Sequence, residues 1–188
     1  MSKAILYSIL LSVLIFSGST LFGAGLIIYN PALGDTFMEV LHESLDIEEM
    51  MNDPPATMAL KLFMNNLQAC IILFLGGVTF GLLTVFILAM NGVIVGAIAH
   101  IALGLQGGVF VIAALLPHGI VELPALFISG ALGFMLASAI RREWNGEGDA
   151  ALEAMHYASL FAKTVLPLLV IAAITEAFIT PGIIVMVV

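Results

Sequence analysis

Charged residues are scarce in this sequence. Asp, Glu, Lys and Arg make up 10% of its 188 residues, whereas soluble globular domains carry about 25%. Hydrophobic residues make up 62% of the chain, and the mean hydropathy is +1.18. The composition therefore excludes a soluble protein and predicts an integral membrane protein that lies almost entirely within the bilayer.

Basic residues and cysteine are the rarest of the chemically informative types. Five Lys and Arg face 13 Asp and Glu, which gives a formal net charge of −8. Nucleic acids and anionic lipid surfaces are bound by clustered cations, and here only Arg141 and Arg142 are adjacent. We therefore expect no nucleic-acid partner and no polybasic anchor. Cys70 has no second cysteine to pair with, and we expect it to be a small buried apolar residue.

The apolar runs are long and continuous, which favours membrane-spanning helices over the alternating pattern of a membrane barrel. We predict an all-α fold, a polytopic transmembrane helical bundle of about five spans that forms a single membrane domain over residues 1–188. The first run resembles a signal peptide but is longer than a signal core, so we expect a retained span. The approximate spans are 4–29, 67–90, 93–116, 118–140 and 162–187.

An acidic amphipathic helix is predicted between the first two spans, at about residues 36–51. Its negative charge argues against an anionic membrane surface and favours packing on the protein's own helices. The acids on one face are Glu39, Glu43, Asp46 and Glu49, and the apolar residues on another are Phe37, Leu41 and Leu45.

Three local signals predict where helices start and stop. Asp53 before Pro54-Pro55 is typical of a capped helix start, and Asn91-Gly92 predicts a tight reversal between the second and third spans. A polar link is expected over residues 145–160 before the last span. The glycines within 104–108 leave two interpretations of residues 93–116: one span with a weakened middle, or a broken or re-entrant helix.

The few basic residues predict the orientation in the membrane. A cytoplasmic N-terminus places four of them on the cytoplasmic side, which agrees with the positive-inside rule. We therefore predict a multi-pass protein of the cell membrane with its N-terminus in the cytoplasm. The four cytoplasmic cations are Lys3, Arg141, Arg142 and Lys163, and Lys61 is the one outside.

Pairs of small residues four apart recur along the spans. Such pairs let helix backbones approach closely in lipid, where the hydrophobic effect does not drive association. They fit a homodimer and equally fit packing within one chain. The pairs are Gly77 with Gly81, Gly92 with Gly96, Gly104 with Gly108, and Ser129 with Gly133.

Six polar residues in or beside the spans are the candidate functional residues. Within residues 116–124, His118 and Glu122 are one helical turn apart, a spacing open to a metal pair, a proton relay or a structural hydrogen bond. Glu122 also fits the first turn of a helix, where an acid complements the helix dipole. The other four are Asn65, Asn66, Asn91 and Glu176. A zinc site needs three or four ligands, so we expect no metal and no cofactor.

The order of these polar and glycine marks over roughly residues 56–140 resembles the stage II sporulation protein M family. The most specific part is the run from Leu116 to Ala125, Leu-Pro-His-Gly-Ile-Val-Glu-Leu-Pro-Ala. The other marks are Phe63-Met64-Asn65-Asn66, Gly77, Gly81, Asn91-Gly92, Gly96, Gly130 and Gly133. The resemblance implies a multi-span membrane protein whose family namesake acts as a membrane anchor for peptidoglycan hydrolases in spore formation.

Three functions are open at this point. The leading prediction is a non-enzymatic membrane protein that scaffolds or organises partners in the bilayer, such as other membrane or envelope proteins. The alternative is a small transporter or channel that uses the intramembrane polar residues and a helix broken at glycines. An intramembrane enzyme built on His118 and Glu122 is the weakest, because the sequence offers no HExxH, CxxC or GxSxG motif.

Overall fold

The computed structural model of the chain describes residues 3–45 and 53–186, except for the side chains of residues 40–45, 115, 116, 118, 184 and 185. This part of the chain holds seven α-helices and no strand. A 3₁₀ turn, Gly76–Thr79, extends α3, and a π-helical turn, Thr175–Ile179, joins α6 to α7. The helices are α1 Lys3–Tyr29, α2 Ala32–Leu45, α3 Pro55–Leu75, α4 Leu82–Gln106, α5 Gly108–Trp144, α6 Ala150–Ile174 and α7 Thr180–Val185.

Five stretches are long and apolar enough to cross a membrane, which confirms the predicted all-α bundle of five spans. Between the first two spans lies α2, which carries Asp35 in its first turn. The protein is therefore a helical membrane protein. The candidate spans are Lys3–Tyr29, Pro55–Thr79, Leu82–Gln106, Gly119–Trp144 and Ala150–Ile183.

The second and third spans lie elsewhere than predicted, because the chain reverses at Phe80-Gly81 and not at Asn91-Gly92. Phe80 and Gly81 both adopt positive φ angles, 55° and 86°, and this turns the chain from the 3₁₀ turn into α4. Asn91 lies inside α4, where its side-chain amide donates a hydrogen bond to the carbonyl oxygen of Ile87 at 2.8 Å. The predicted spans 67–90 and 93–116 are therefore wrong in their bounds.

The glycine-rich segment 104–108 does contain a break, at Gly107. Its backbone (φ 84°, ψ 170°) ends α4 at Gln106 and lets α5 begin at Gly108. The prediction of one continuous span over 93–116 is therefore wrong. The break is a junction between two candidate spans and does not interrupt a single one.

Three smaller differences have local causes. The link before α6 is short, because the Asp149 carboxylate accepts a hydrogen bond from the Leu152 N–H at 2.9 Å and starts the helix at Ala150. Asp53 does not cap α3. Its carboxylate forms an ion pair of 2.8 Å with Lys61, eight residues later in the chain. The acidic helix begins at Ala32, and its predicted residues 46–51, including Asp46 and Glu49, lie outside the described residues.

Glycines bring α1 and α4 into backbone contact. A methyl group at Gly96 would overlap the carbonyl oxygen of Thr20, and one at Gly23 would overlap that of Val93. A methyl group at Gly92 would lie 2.6 Å from the carbonyl oxygen of Phe16. Gly92 therefore serves close packing of α4 on α1 and not a turn. The Asn91-Gly92 pair has the composition of a turn but lies within a continuous helix.

The α5 helix lies at the centre of the bundle. It contacts α1 through an edge-to-face pair of Phe16 and Phe127, with ring centres 5.4 Å apart. It also packs against α3, α4 and α6. Phe74 of α3 stacks on Phe161 of α6 at 5.9 Å, so α3, α5 and α6 enclose one core.

Candidate functional site

The interface between α3 and α5 contains polar groups that are buried inside the bundle. A methyl group at Gly77 would overlap the carbonyl oxygen of Gly133, so the two backbones touch there. Seven residues earlier on α3, the buried thiol of Cys70 lies beside the buried hydroxyl group of Ser129 on α5. The order of these contacts means that α3 and α5 run in the same direction.

Glu122 belongs to this interface. Its side chain is half-buried and close enough to Cys70 for the two groups to interact electrostatically. Ser129, seven residues later on α5, lies beside Cys70 and donates its hydroxyl hydrogen to the carbonyl oxygen of Ala125 at 2.8 Å. A carboxyl, a thiol and a hydroxyl group thus line one helix interface.

The helical rise gives the depth of Glu122. It lies eleven residues before Gly133, and Asn66 lies eleven residues before Gly77. At 1.5 Å per residue, both are about 16 Å above the glycine crossing. Asn66 is near the middle of the candidate span Pro55–Thr79, whereas Glu122 is the fourth residue of its own candidate span, Gly119–Trp144. Glu122 therefore lies inside a candidate span, toward its start. It is not the first-turn acid of a helix that begins near Pro117, since α5 begins at Gly108.

Glu176 lies in the π-helical turn Thr175–Ile179, nearer the end of the bundle. This turn contacts both α3 and α5, and the Glu176 side chain is half-buried. The wider turn precedes Pro181, whose missing N–H removes a helical hydrogen bond. Turns of this kind occur often at functional sites. The structure thus brings Glu176 to the same pair of helices as Glu122.

The other predicted site residues differ in whether they lie near Glu122. Asn66 is half-buried at the level of Glu122, whereas Asn65 is exposed. Asn91 bonds within α4, beside the contact with α1, and does not join the α3–α5 interface. His118 is placed on α5 one turn before Glu122, but its side chain lies outside the described residues.

Cys70 and Ser129 are the residues that sequence reasoning missed as polar partners. Cys70 is buried as predicted, and Ser129 was read only as a small packing residue. A signal was available in the spacing. Asn66, Cys70 and Gly77 fall at helical intervals on α3, as Glu122, Ser129 and Gly133 do on α5. Aligning these two stripes in parallel would have paired them.

This arrangement limits the chemistry of the site. Hydroxyl, thiol and carboxyl groups can cross-link helices by hydrogen bonds, and a carboxyl group at this depth can carry a proton. Among the residues whose side chains are described, no three His, Cys, Asp or Glu residues group as metal ligands do. The interface therefore has the groups for helix association and for proton handling.

The small-residue pairs are mostly used inside one chain. Gly77 and Gly81 face α5, Gly92 and Gly96 face α1, and Gly133 lies against the carbonyl oxygen of Leu73. Gly104 is different, because a methyl group there would meet no atom within 4 Å. Three of the four pairs therefore give no argument for a dimer.

At the end of the bundle away from Glu122 and Glu176, α5 and α6 form a polar hairpin. One guanidinium nitrogen of Arg142 donates to both carboxylate oxygens of Glu153, at 2.7 and 2.5 Å. The Tyr157 hydroxyl donates to the same carboxylate at 2.7 Å. The connecting residues 141–149 are exposed. This cross-brace fixes the geometry of the exposed tip.

Comparison with known proteins matches most of the chain to one family. The family described as "Stage II sporulation protein M" matches residues 12–181. An uncharacterized protein of Methanocaldococcus jannaschii is 32% identical over 126 residues, which are 65% of this chain and 71% of that protein. A second uncharacterized protein of the same organism is 26% identical over 108 residues, which are 57% of this chain and 47% of that protein. No solved structure matches the chain.

Proposed function

Because the chain belongs to the stage II sporulation protein M family, we propose that it is a non-enzymatic membrane protein that scaffolds or organises partner proteins in the bilayer. The names of its two relatives assign neither an activity nor a partner. The proposal therefore depends on how the bundle itself is built.

The observation that carries the proposal is the backbone contact at the centre of the bundle. Gly77 and Gly133 join α3 to α5, and Gly96 joins α4 to α1, each with no room for a methyl group. Well-packed contacts of this kind deform little, because interiors respond to added volume with strain. A transporter must alternate between two arrangements of its helices, whereas a scaffold needs one.

The buried hydroxyl groups of Ser12 and Ser129 agree with a static role. Ser12 donates to the carbonyl oxygen of Ser8 at 3.1 Å, and Ser129 donates to that of Ala125 at 2.8 Å. Each hydroxyl group bonds to its own helix. The Gly107 junction also removes the broken intramembrane helix on which the transport alternative partly rested.

Transport remains the second candidate because of Glu122. A half-buried acid within a candidate span, close to the Cys70 thiol, is a costly feature in a membrane protein. Such residues often mark pathways for protons or ions. This candidate predicts that the acid group of Glu122 is essential, whereas the scaffold predicts that it is not.

The α5–α6 hairpin is the part of the scaffold that we propose meets partners. Its tip is exposed, and the Arg142–Glu153 ion pair with Tyr157 holds it in one shape. A preformed surface loses less conformational entropy on binding than a mobile one. Membrane proteins that expose a segment on the same side of the bilayer fit a docking site at this position.

The orientation completes the proposal. With the N-terminus cytoplasmic, the hairpin tip lies in the cytoplasm and α2 lies outside. Lys163 lies 13 residues inside the candidate span Ala150–Ile183, farther from a span end than the other four basic residues, so it leaves the count of cytoplasmic cations. The remaining count, Lys3, Arg141 and Arg142 against Lys61, still favours this orientation. A homodimer stays a prediction.

Site-specific photo-crosslinking in native membranes tests the scaffold. We expect a photoreactive phenylalanine at Asn145 or Glu147, both exposed at the hairpin tip, to give discrete protein adducts. The control position is Leu21, 76% exposed on the side of α1, which should give lipid adducts. Glu122→Gln should leave the hairpin adducts unchanged. Hairpin positions that give no more protein adducts than Leu21 would overturn the proposal.

A further inference from the structure

A cavity of about 340 Å³ opens at the hairpin end of the bundle, where α1 begins, the chain reverses between α3 and α4, and α5 ends. Its volume falls within the range of small-molecule sites, roughly 300–1,000 Å³. It is distinct from the Glu122 interface. The lining residues are Tyr7, Ser8, Leu11, Phe80, Phe134, Ala137, Ser138 and Arg141.

The polar and apolar lining residues are ordered along the bundle axis. Arg141 and Ser138 lie toward the end of α5, and Phe134 lies one turn deeper. On α1, Ser8 lies toward the helix start and Leu11 lies deeper. A ligand that fits this order has a polar head at the membrane boundary and an apolar part that continues toward the bilayer centre.

The two adjacent arginines have different roles. Arg142 is engaged by the Glu153 carboxylate through two contacts. Arg141 lines the cavity, and no acidic residue whose side chain is described forms an ion pair with it. In a chain with a net charge of −8, an uncommitted guanidinium group inside a cavity favours an anionic ligand.

The chain reversal between α3 and α4 places an aromatic side chain, that of Phe80, against the cavity. Phe80 is the one non-glycine residue with a positive φ in the described part of the chain, at 55°. Its ring lines the cavity and makes an edge-to-face contact with Trp144, with centres 6.4 Å apart. Trp and Tyr residues collect at the headgroup level of membranes, and Tyr7 faces the same cavity. These residues mark the site as interfacial.

We propose that this cavity binds the headgroup of an anionic phospholipid. The Arg141 guanidinium group holds the phosphate, with the hydroxyl groups of Ser8 and Ser138 as further donors. An acyl chain follows Leu11 and Phe134 into the bilayer. The site is a single headgroup pocket and differs from the polybasic segments that attract lipid by charge alone.

Lipid titration of the purified full chain in neutral detergent tests the site. Phosphatidylglycerol and phosphatidylcholine are added separately, and bound lipid is counted by native mass spectrometry while the melting temperature is followed. We expect one phosphatidylglycerol to be retained preferentially and to raise the melting temperature. Arg141→Gln should weaken this binding by about tenfold or more, the effect of losing roughly one charged hydrogen bond.

The matched control is Lys163→Gln, which makes the same change of charge at an exposed residue outside the cavity. It should keep the preference for phosphatidylglycerol. A second variant, Ala137→Phe, fills the cavity without changing the charge and should also abolish the preference, so the test does not depend on Arg141→Gln folding.

Three outcomes would overturn the inference. Equal retention of the two lipids by the wild-type chain would exclude headgroup selection. Equal loss in Arg141→Gln and Lys163→Gln would reduce the effect to net charge. Inorganic phosphate or glycerol phosphate that stabilises the protein as much as phosphatidylglycerol does would make the ligand a soluble anion and not a lipid.

Discussion

Thr84 of α4 donates its hydroxyl hydrogen to the carbonyl oxygen of Leu73 in α3, at 2.9 Å across the Phe80-Gly81 reversal. Both side chains are completely buried. Leu73 is among the last residues of α3, where carbonyl groups lose their helical partners. Gly133 of α5 covers this bond, since a methyl group there would lie 2.7 Å from the Thr84 hydroxyl oxygen. This hydrogen bond thus links α3 to α4 at the point where α5 packs against both.

Thr84→Val should destabilise the protein by about 1–3 kcal/mol, because it leaves a buried carbonyl group without this donor at nearly constant volume. The control is Thr164→Val, where the hydroxyl group bonds to Leu160 of its own helix at 2.7 Å. That change should stay within about 0.5 kcal/mol. Thermal unfolding in detergent, followed by circular dichroism, measures both variants. Equal effects would mean that the Thr84 bond does not tie the reversal together.

Gly96→Ala should destabilise the bundle by about 1–3 kcal/mol, because the new methyl group meets the Thr20 backbone and α1 has to move. Gly104→Ala is the matched change in the same helix, with no atom within 4 Å of the new methyl group. It should raise stability by up to about 1 kcal/mol through helix propensity. Melting temperatures that shift in the same direction for both variants would contradict the packing of α1 on α4.

The number of spans and their helical nature could be predicted from the sequence, because long apolar runs have few other solutions in a membrane. The positions of the two reversals could not. Gly92 and Gly81 look alike in sequence, yet one allows α1 to approach and the other allows a positive φ angle. Only the partner helix distinguishes these uses of glycine.

The candidate site was predicted in part. Glu122 and Glu176 were singled out as intramembrane acids, and the structure brings both to α3 and α5. Pairing Glu122 with Cys70 and Ser129 required the relative direction of two helices that are separated in sequence by α4. Asn91, another of the candidate residues, does not join this interface, because its amide bonds within its own helix.

Cysteine labelling tests the orientation. In a Cys70→Ala background, we expect Asp35→Cys, exposed on α2, to react with an impermeant maleimide added to intact cells. Glu147→Cys, exposed in the hairpin tip, should react only after the membrane is opened. Labelling of the two positions in the reverse order would place the hairpin outside and the N-terminus away from the cytoplasm.

Glu122→Gln should leave the protein folded and inserted, because the amide oxygen still accepts hydrogen bonds at nearly the same volume. We expect its free energy of unfolding to change by no more than about 1 kcal/mol. Cys70→Ala provides a comparison on the facing helix. Unfolding of the Glu122→Gln variant under conditions where Cys70→Ala is stable would show that the carboxyl group is a structural necessity.

Proton flux through the purified protein in liposomes tests the proposed function most directly. A pH-sensitive dye is trapped inside, and a potassium gradient with valinomycin supplies the driving force. The scaffold account predicts that wild-type proteoliposomes acidify or alkalinise no faster than protein-free liposomes, and that Glu122→Gln behaves the same. A wild-type flux above that background, abolished by Glu122→Gln and retained by the Asn65→Ala control, would contradict the account and establish transport through the α3–α5 interface.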